Sequence, residues 1–321
     1  MLDNLNLLAR RALRLLKTGS MAAREVQEYS EFIKSNPDSY RTAFFNLTID
    51  FELAWSRARR RNISTTSAES LERARRARAS FPCLIELTKK YDIPVTIAPV
   101  AHVVLSDCAL HETPPKFKPS WTNSDWFSVD PKTNLQKNKD YYGFDLMEEV
   151  LESGVRHEIA SHGFSHIDLS DVDTTKEVAE YEIAESYRIL KQIDQGLSTF
   201  IFPNNKPEFL EFLGQVGYII YRGKKNQTVA KDNFGLWCFP RGLWLSPYAV
   251  NPKEINKLIL LATQKKQLVN LWCHLYEFRN AEQLINFFNP IFEFVKRKQD
   301  DGSLEVGTMR SIIEGIKSLE P

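Results

Sequence analysis

From residue 43 onward, short apolar segments alternate with longer segments of helical character. Each short segment is rich in apolar, β-branched and aromatic residues, the pattern of a strand buried on both faces. These segments are AFFNLTID, IPVTIAPVAH, VRHEIASH, STFIFP, YIIYRG, LVNLWCH and SLEVGTM. Strands that alternate with helices of roughly 10 to 20 residues imply βαβ units and a parallel sheet. Because no Gly/Ser-rich linker divides the chain, the sequence predicts an α/β fold with a single (β/α) barrel.

The N-terminal segment precedes this alternation. Residues 1–40 are predicted to form a helical extension, and residues 41–321 to form the barrel domain. The stretch MLDNLNLLARRALRLLK places leucines on one side of a helix and arginines on the other. Two interpretations stay open for this basic helix. It could make peripheral contact with a membrane surface, or it could pack on the protein body or a neighbouring subunit, which is the commoner case.

Composition and charge exclude several classes of function. The chain carries 42 Lys and Arg against 41 Asp and Glu, a net charge of +1, so no nucleic-acid partner is expected. It contains neither a GxGxxG motif nor a P-loop. No apolar run approaches the ~20 residues of a membrane span, and no signal-peptide pattern is present. The four cysteines include no CxxC pair, which indicates free thiols in a reducing compartment. We therefore expect a cytoplasmic protein, with membrane association left open.

Polar residues follow the predicted strands. In a (β/α) barrel the C-terminal strand ends surround one mouth, where catalytic residues collect. Here each candidate strand end carries a chemically useful side chain; in chain order these are Asp50, Glu52, His102, His162, His166, Asn204, Asn205, Arg222 and His274. Unrelated structural histidines would have no reason to gather at successive strand ends. The pattern therefore favours a metal site, although two histidines four residues apart would by themselves be a weak signal.

This inventory suits metal-assisted hydrolysis. Two imidazoles, one carboxylate and an open position form the pattern of hydrolytic zinc sites. A second carboxylate can accept a proton from water, and a further histidine can protonate a leaving amine. Asp50 and Glu52 are two residues apart and so share one face of a strand. One of them would bind the metal and the other would serve as the base, with His274 as the acid.

Four motifs resemble those of a known family. LTIDFE, HEIASHGFSH, FIFPNN and LWCH, in this order and spacing, are similar to the motifs of polysaccharide deacetylases of the NodB-homology type, carbohydrate esterase family 4. The likeness spans roughly residues 43–315. It is greatest to the branch found with surface-polysaccharide biosynthesis, where a DxE first motif, a YRG element and a late TM segment recur. The resemblance implies a distorted (β/α)7–8 barrel and a divalent metal ion, often zinc.

The resemblance also implies roles for particular residues. Glu52, His162 and His166 would be the metal ligands, Asp50 the general base and His274 the general acid. A further residue, Glu158, resembles one that is usual in this branch and is expected to support the strand end rather than take part in chemistry.

This chain departs from the family pattern at two places. Phe51 separates two acids that are usually adjacent, so the assignment of Asp50 and Glu52 could be the reverse. The third motif usually has an arginine that steadies the base, whereas FIFPNN has Asn204 or Asn205 near that place. Arg222 is a candidate to supply the missing charge.

Two other residues are candidates for substrate contact. Trp126 lies in the long irregular segment 105–141, where it could stack on a sugar ring, since loops of this length are commonly functional. Packing is the alternative for this side chain. His102 could touch the substrate or be a structural histidine.

Together these expectations describe a metal-dependent hydrolase that removes an acetyl or formyl group from an amino sugar destined for a surface glycan. The sugar would be nucleotide-linked, lipid-linked or free. One alternative is a non-sugar amidase of the same fold, similar to allantoinase. Another is an inactive homologue that binds a metal or a glycan, which the missing arginine of the third motif makes plausible.

Overall fold

The computed structural model describes residues 23–37, 39–57 and 68–317. The strands within these ranges are β1 (Ala43–Phe51), β2 (Thr96–Pro99), β3 (Glu158–Ile159), β4 (Thr199–Ile201), β5 (Ile220–Arg222), β6 (Ala230–Lys231), β7 (Trp237–Phe239), β8 (Leu243–Trp244), β9 (Leu268–His274) and β10 (Leu304–Val306). The helices are α1 (23–35), α2 (Ala68–Tyr91), α3 (Phe144–Glu152), α4 (Lys176–Leu190), α5 (Leu210–Val216), α6 (Pro252–Lys265), α7 (Ala281–Asp300) and α8 (Met309–Lys317).

The strands form two mainly parallel sheets. The first has the order β3-β2-β1-β9-β8, with β10 paired to the start of β1, and the second has the order β4-β5-β7-β6. An isolated bridge between Ser161 and Phe200 joins them. In the described part of the chain no pairing connects β7 to β8, so the barrel is open there. The predicted α/β fold is confirmed as a distorted, incompletely closed barrel.

The central strand β1 explains why the site forms where it does. All nine of its residues are buried, as expected for a largely apolar strand that is covered on both faces. Its parallel register places Asp50 beside Ala98 of β2 and beside His274 of β9. Residues that are far apart in sequence therefore meet at one carboxyl edge of the sheet.

Some predicted elements differ in detail. Helix α2 continues through Pro82, although proline commonly breaks a helix. Its neighbour Phe81 is fully buried, as is Leu84, and this core packing outweighs the helical hydrogen bond that proline cannot make. Strands β6, β7 and β8 were not predicted, because runs of two or three residues carry too little periodicity to be recognised.

Helix α1 packs on the body of the protein. Tyr29 and Ile33 are buried in the core, and the backbone N–H of Asn270 donates to the Tyr29 hydroxyl at 3.0 Å. The basic amphipathic stretch predicted before it falls in residues 1–22, outside the described residues. Across the described ranges, none of the helices combines the length and apolar character that crossing a membrane requires.

One pH effect on stability follows from His157, which precedes β3. The Val95 N–H donates to its Nδ1 at 3.2 Å, and Nε2 lies 3.3 Å from the Thr88 hydroxyl, so the ring is held neutral. Burial lowers the pKa of His157 to about 4, whereas an unfolded histidine titrates near pH ~6.5. Between these values the unfolded chain binds the extra proton. Stability should therefore fall by up to about 3 kcal/mol as the pH falls from ~6.5 to ~4.

Urea unfolding at pH 7 and pH 5 measures this effect. In His157→Gln the free energy of unfolding should fall less between pH 7 and pH 5 than it does in wild type. An unchanged pH dependence in the variant would show that other groups are responsible.

Candidate metal centre

Glu52 is the centre of the site. It follows the last residue of β1, and its side chain is 3% exposed. Its oxygen Oε1 lies 3.3 Å from Nε2 of His162, 3.1 Å from Nε2 of His166 and 3.1 Å from Nε2 of His274. One buried carboxylate oxygen is thus surrounded by three imidazoles.

The hydrogen bond of His162 to a backbone carbonyl determines which ring nitrogen faces Glu52. Its Nδ1 lies 2.8 Å from the carbonyl oxygen of Ile201, and since a carbonyl only accepts, the ring carries a proton at Nδ1. A neutral ring then points the Nε2 lone pair at the Glu52 carboxylate. The Nε2 lone pair and the carboxylate oxygen repel each other at this distance. A cation bound between them, or a second proton on the ring, would remove the repulsion.

The donor set fits a divalent metal ion. Glu52, His162 and His166 each offer one ligand atom, and these atoms all lie within 4.8 Å of one another. Two imidazole nitrogens and one carboxylate oxygen are the protein ligands of many hydrolytic zinc sites. The bond from His162 Nδ1 to a backbone carbonyl is also typical, because it orients the ring and fixes Nε2 as the ligand atom.

The loop between the two histidines is held by Glu182 of α4. Its Oε2 accepts the N–H groups of Phe164 at 3.0 Å and Ser165 at 2.9 Å, and its Oε1 accepts the Ser165 hydroxyl. Burial raises the pKa of Glu182 to about 7. The loop ends at His166 with a φ of 65°, a left-handed conformation that is uncommon outside glycine. Glu182 therefore supports a strained ligand backbone.

Sequence reasoning missed Glu182. A signal was available, because this acid lies on the same helical face as the apolar residues Ala179 and Ile183, where an unpaired carboxyl group is rarely placed. The pattern cannot say which loop such an acid binds.

Asp50 is held by an arginine. Both oxygens of Asp50 accept from Arg222, at 2.7 Å and 2.5 Å, and both side chains are almost completely buried. The guanidinium also lies 4.9 Å from the ring centre of Trp272. Burial alone would raise the pKa of Asp50, but the Arg222 charge lowers it below its usual value. The structure thus brings together the base candidate and the arginine considered as a substitute for that of the third motif.

The pKa of His274 shifts in the opposite direction from that of Asp50. Its ring stacks on Tyr276, with ring centres 4.7 Å apart and planes 19° from parallel. Burial alone would lower the pKa of His274, but the carboxylates of Glu52 and Asp50 raise it to about 9. The site thus holds a carboxyl group with a lowered pKa and an imidazole with a raised pKa.

The two asparagines of FIFPNN lie just after β4. Asn204 and Asn205 both have left-handed backbone conformations, with φ of 61° and 55°. Among the described residues, Nδ2 of Asn204 and Oδ1 of Asn205 are buried without a hydrogen-bond partner. Each side chain can therefore form a further hydrogen bond.

Three other candidates bond to groups outside the Glu52 cluster. Trp126 is 4% exposed and donates from Nε1 to the Ser165 hydroxyl at 2.9 Å. Glu158 is fully buried and accepts from the side chains of Thr96 and Thr199 and from the N–H of Arg310. His102 is also fully buried, with Nε2 3.2 Å from Asp130.

Comparison with known proteins gives matches in structure alone. No family model and no curated protein sequence matches the chain. A protein assigned as a polysaccharide deacetylase from Pseudomonas aeruginosa is 13% identical with a TM-score of 0.60, over 89% of this chain and 96% of that one. PuuE allantoinase is 14% identical with a TM-score of 0.59, over 89% and 96%. A protein assigned as a polysaccharide deacetylase from Mycobacterium smegmatis is 13% identical with a TM-score of 0.54, over 88% and 93%.

At these identities the likeness concerns the fold. Each of the three similar structures is covered almost completely, so the match extends through the whole barrel rather than one βαβ unit. The chain therefore has the fold of the NodB-type polysaccharide deacetylases, as its four ordered motifs predicted.

Proposed function

We propose that this protein is a metal-dependent amide hydrolase that removes an N-acyl group, acetyl or formyl, from an amino sugar. The observation that carries the proposal is the contact of Glu52 with His162, His166 and His274, beside the Asp50–Arg222 pair. Three candidate metal ligands thus lie beside a carboxylate whose pKa is lowered and an imidazole whose pKa is raised. Titratable groups whose environments push their pKa values apart are typical of acid–base catalysis.

The residues divide the chemistry between them. A divalent ion held by Glu52, His162 and His166 would supply a Lewis acid that polarises an acyl carbonyl and acidifies water. Asp50 accepts the proton that the attacking water loses, because Arg222 keeps its carboxylate ionised and oriented. His274 donates its Nε2 proton to the departing sugar nitrogen. The products are a free amine and acetate or formate.

The sugar class rests on the motif resemblance to the surface-polysaccharide branch. We infer an amino sugar destined for a surface glycan, presented free or linked to a nucleotide or a lipid. Asn204 and Asn205 are the candidates for hydrogen bonds to sugar hydroxyls, because their buried amide atoms are unpartnered among the described residues.

A second candidate function is hydrolysis of a non-sugar amide. The observation that favours it is the similarity to PuuE allantoinase, whose TM-score of 0.59 nearly equals that of the Pseudomonas aeruginosa protein. Allantoin therefore belongs in any substrate panel.

The test measures release of acetate or formate from N-acetyl and N-formyl amino sugars, with allantoin assayed in parallel. His274→Ala and Asp50→Asn should each lower kcat by about 10²- to 10⁴-fold, the usual contribution of a general acid or base. His157→Gln, a histidine outside the site, should retain activity.

Three outcomes decide between the functions. Turnover of an N-acyl sugar that both variants lose supports the proposal. Turnover of allantoin alone supports the second candidate. Sugar binding without turnover, equal in wild type and variants, would identify an inactive homologue and refute the hydrolase.

A further inference from the structure

A second group of metal-binding side chains lies close to the first. It consists of His102, Cys108, His111 and Asp130, whose ligand atoms all lie within 4.8 Å of one another. His102 follows β2, and the other three come from the long irregular segment between β2 and α3. We propose that these four side chains form a second metal site, which binds zinc in a structural role.

The spacing of the donors suits a tetrahedral ion. Oδ2 of Asp130 lies 3.2 Å from Nε2 of His102, 3.3 Å from Nε2 of His111 and 3.0 Å from Sγ of Cys108. Sγ of Cys108 lies 3.2 Å from Nε2 of His111. Zinc bonds of about 2.0–2.1 Å to nitrogen or oxygen and about 2.3 Å to sulfur give tetrahedral edges of about 3.3–3.6 Å. A few tenths of an ångström of outward movement would therefore admit the ion.

The tautomer of His111 points to a cation. Its Nδ1 lies 2.6 Å from the carbonyl oxygen of Glu112, so the proton of a neutral ring is at Nδ1. The Nε2 lone pair then faces the Asp130 carboxylate and the Cys108 sulfur. This is the electronic arrangement that His162 shows towards Glu52, here with a sulfur donor added.

A plain hydrogen-bond network fits the contacts less well. It would require Oδ2 of Asp130 to accept from His102, Cys108 and His111 at once. Meanwhile Oδ1 accepts the Lys132 N–H at 2.9 Å, a bond that fixes which oxygen faces the cluster, as supporting bonds to metal ligands commonly do. With zinc, the charges of one thiolate, one carboxylate and the ion sum to zero, which suits a buried group.

The surroundings favour a closed structural site with a path for the metal. His102 is fully buried, with its ring 4.5 Å from that of Trp55. The side chains of His111 and Asp130 are 11% and 7% exposed, and together with Cys108 they line a surface cleft through which an ion could enter. Four protein ligands without an open position are the pattern of structural zinc.

The site would tie the long segment to the loop of the first metal site. The His102 N–H donates to the Phe164 carbonyl at 3.0 Å, and the Ala101 N–H donates to the Gly163 carbonyl at 2.8 Å. The Phe164 ring packs on the rings of His102 and His111, 5.6 and 5.2 Å away. An ion bound to His102 would therefore stabilise the loop that carries His162 and His166.

The test uses the whole 321-residue chain. Wild type loaded with zinc should hold two ions per chain by elemental analysis. Loaded with cobalt, it should show a thiolate-to-cobalt charge-transfer band, which the first site cannot produce because its ligands include no sulfur. The double variant His162→Ala/His166→Ala should keep one ion and the band. Cys108→Ser should lose the band and one ion, whereas Cys83→Ser, at a half-buried cysteine on α2, should keep both ions and the band.

Two results would overturn the second site. One is a cobalt-loaded wild type without a thiolate band. The other is a single ion per chain that disappears entirely in the histidine double variant. Both are measured without Cys108→Ser, so the test does not depend on the folding of that variant. If the protein hydrolyses no N-acyl sugar, the thiolate band and the ion that the histidine double variant keeps would still support the second site, so the two proposals fail separately.

Discussion

Replacing His162 and His166 together by alanine is expected to lower amide hydrolysis by at least about 10³-fold, because a metal Lewis acid contributes several kcal/mol of transition-state stabilisation. The two imidazoles are two of the three donors in the Glu52 group. Without them, the remaining carboxylate is a weak monodentate site. One metal ion per chain should be lost with the activity, as measured by elemental analysis and by release of acetate or formate.

His157→Ala is the matched control for this variant. It removes a partly buried histidine from the same segment of the chain but leaves the Glu52 group intact, so metal content and kcat should stay near wild type. A double variant that kept the wild-type metal content would refute the ligand set.

Arg222→Met is expected to cost about 3–5 kcal/mol of stability, because it leaves a buried carboxylate without its partner. The guanidinium makes both hydrogen bonds to Asp50 in a site where neither side chain exceeds 2% exposure. Because methionine cannot orient or compensate Asp50, kcat should fall as well. Urea unfolding measures the first effect and the N-acyl sugar assay the second.

Two further variants separate the effect of the uncompensated Asp50 charge from the effect of replacing arginine by methionine. Adding Asp50→Asn to Arg222→Met removes the uncompensated charge, so stability should partly recover while activity stays lost. Arg241→Met makes the same substitution at a partly exposed pair with Glu25, where a cost of at most about 1 kcal/mol is expected. Equal costs at Arg222 and Arg241 would contradict the assignment of Asp50 as a compensated buried charge.

Much of the fold could be predicted from local sequence. The predicted strand LVNLWCH coincides with β9, and AFFNLTID falls within β1, because long apolar runs bounded by polar residues identify buried strands. Shorter strands were overestimated: VRHEIASH yields only Glu158–Ile159. The length of a strand depends on its hydrogen bonds to neighbouring strands, which the sequence of one segment does not show.

In the candidate site, too, local spacing could be recognised from the sequence, whereas contacts across the fold could not. The spacing of Asp50 and Glu52 and of His162 and His166 is local and could be recognised. Glu182 could not be matched to its loop, nor could the contacts of His102, which was considered as a substrate contact or a structural histidine. The structure has all four cysteines free of disulfides, and nothing in the local sequence indicated that Cys108 lies among metal-binding side chains.

The sequence by itself determined the parallel α/β organisation and the residue types available for hydrolysis, because hydrophobic periodicity and motif spacing are properties of short segments. Only the tertiary structure decided which side chains contact one another in the site. The parallel register of β1 with β9 sets Asp50 beside His274, and the packing of β5 brings Arg222 to the same carboxylate across 172 positions of sequence. Charge compensation and metal coordination act over a few ångströms of space, so they depend on strand register and not on distance along the chain.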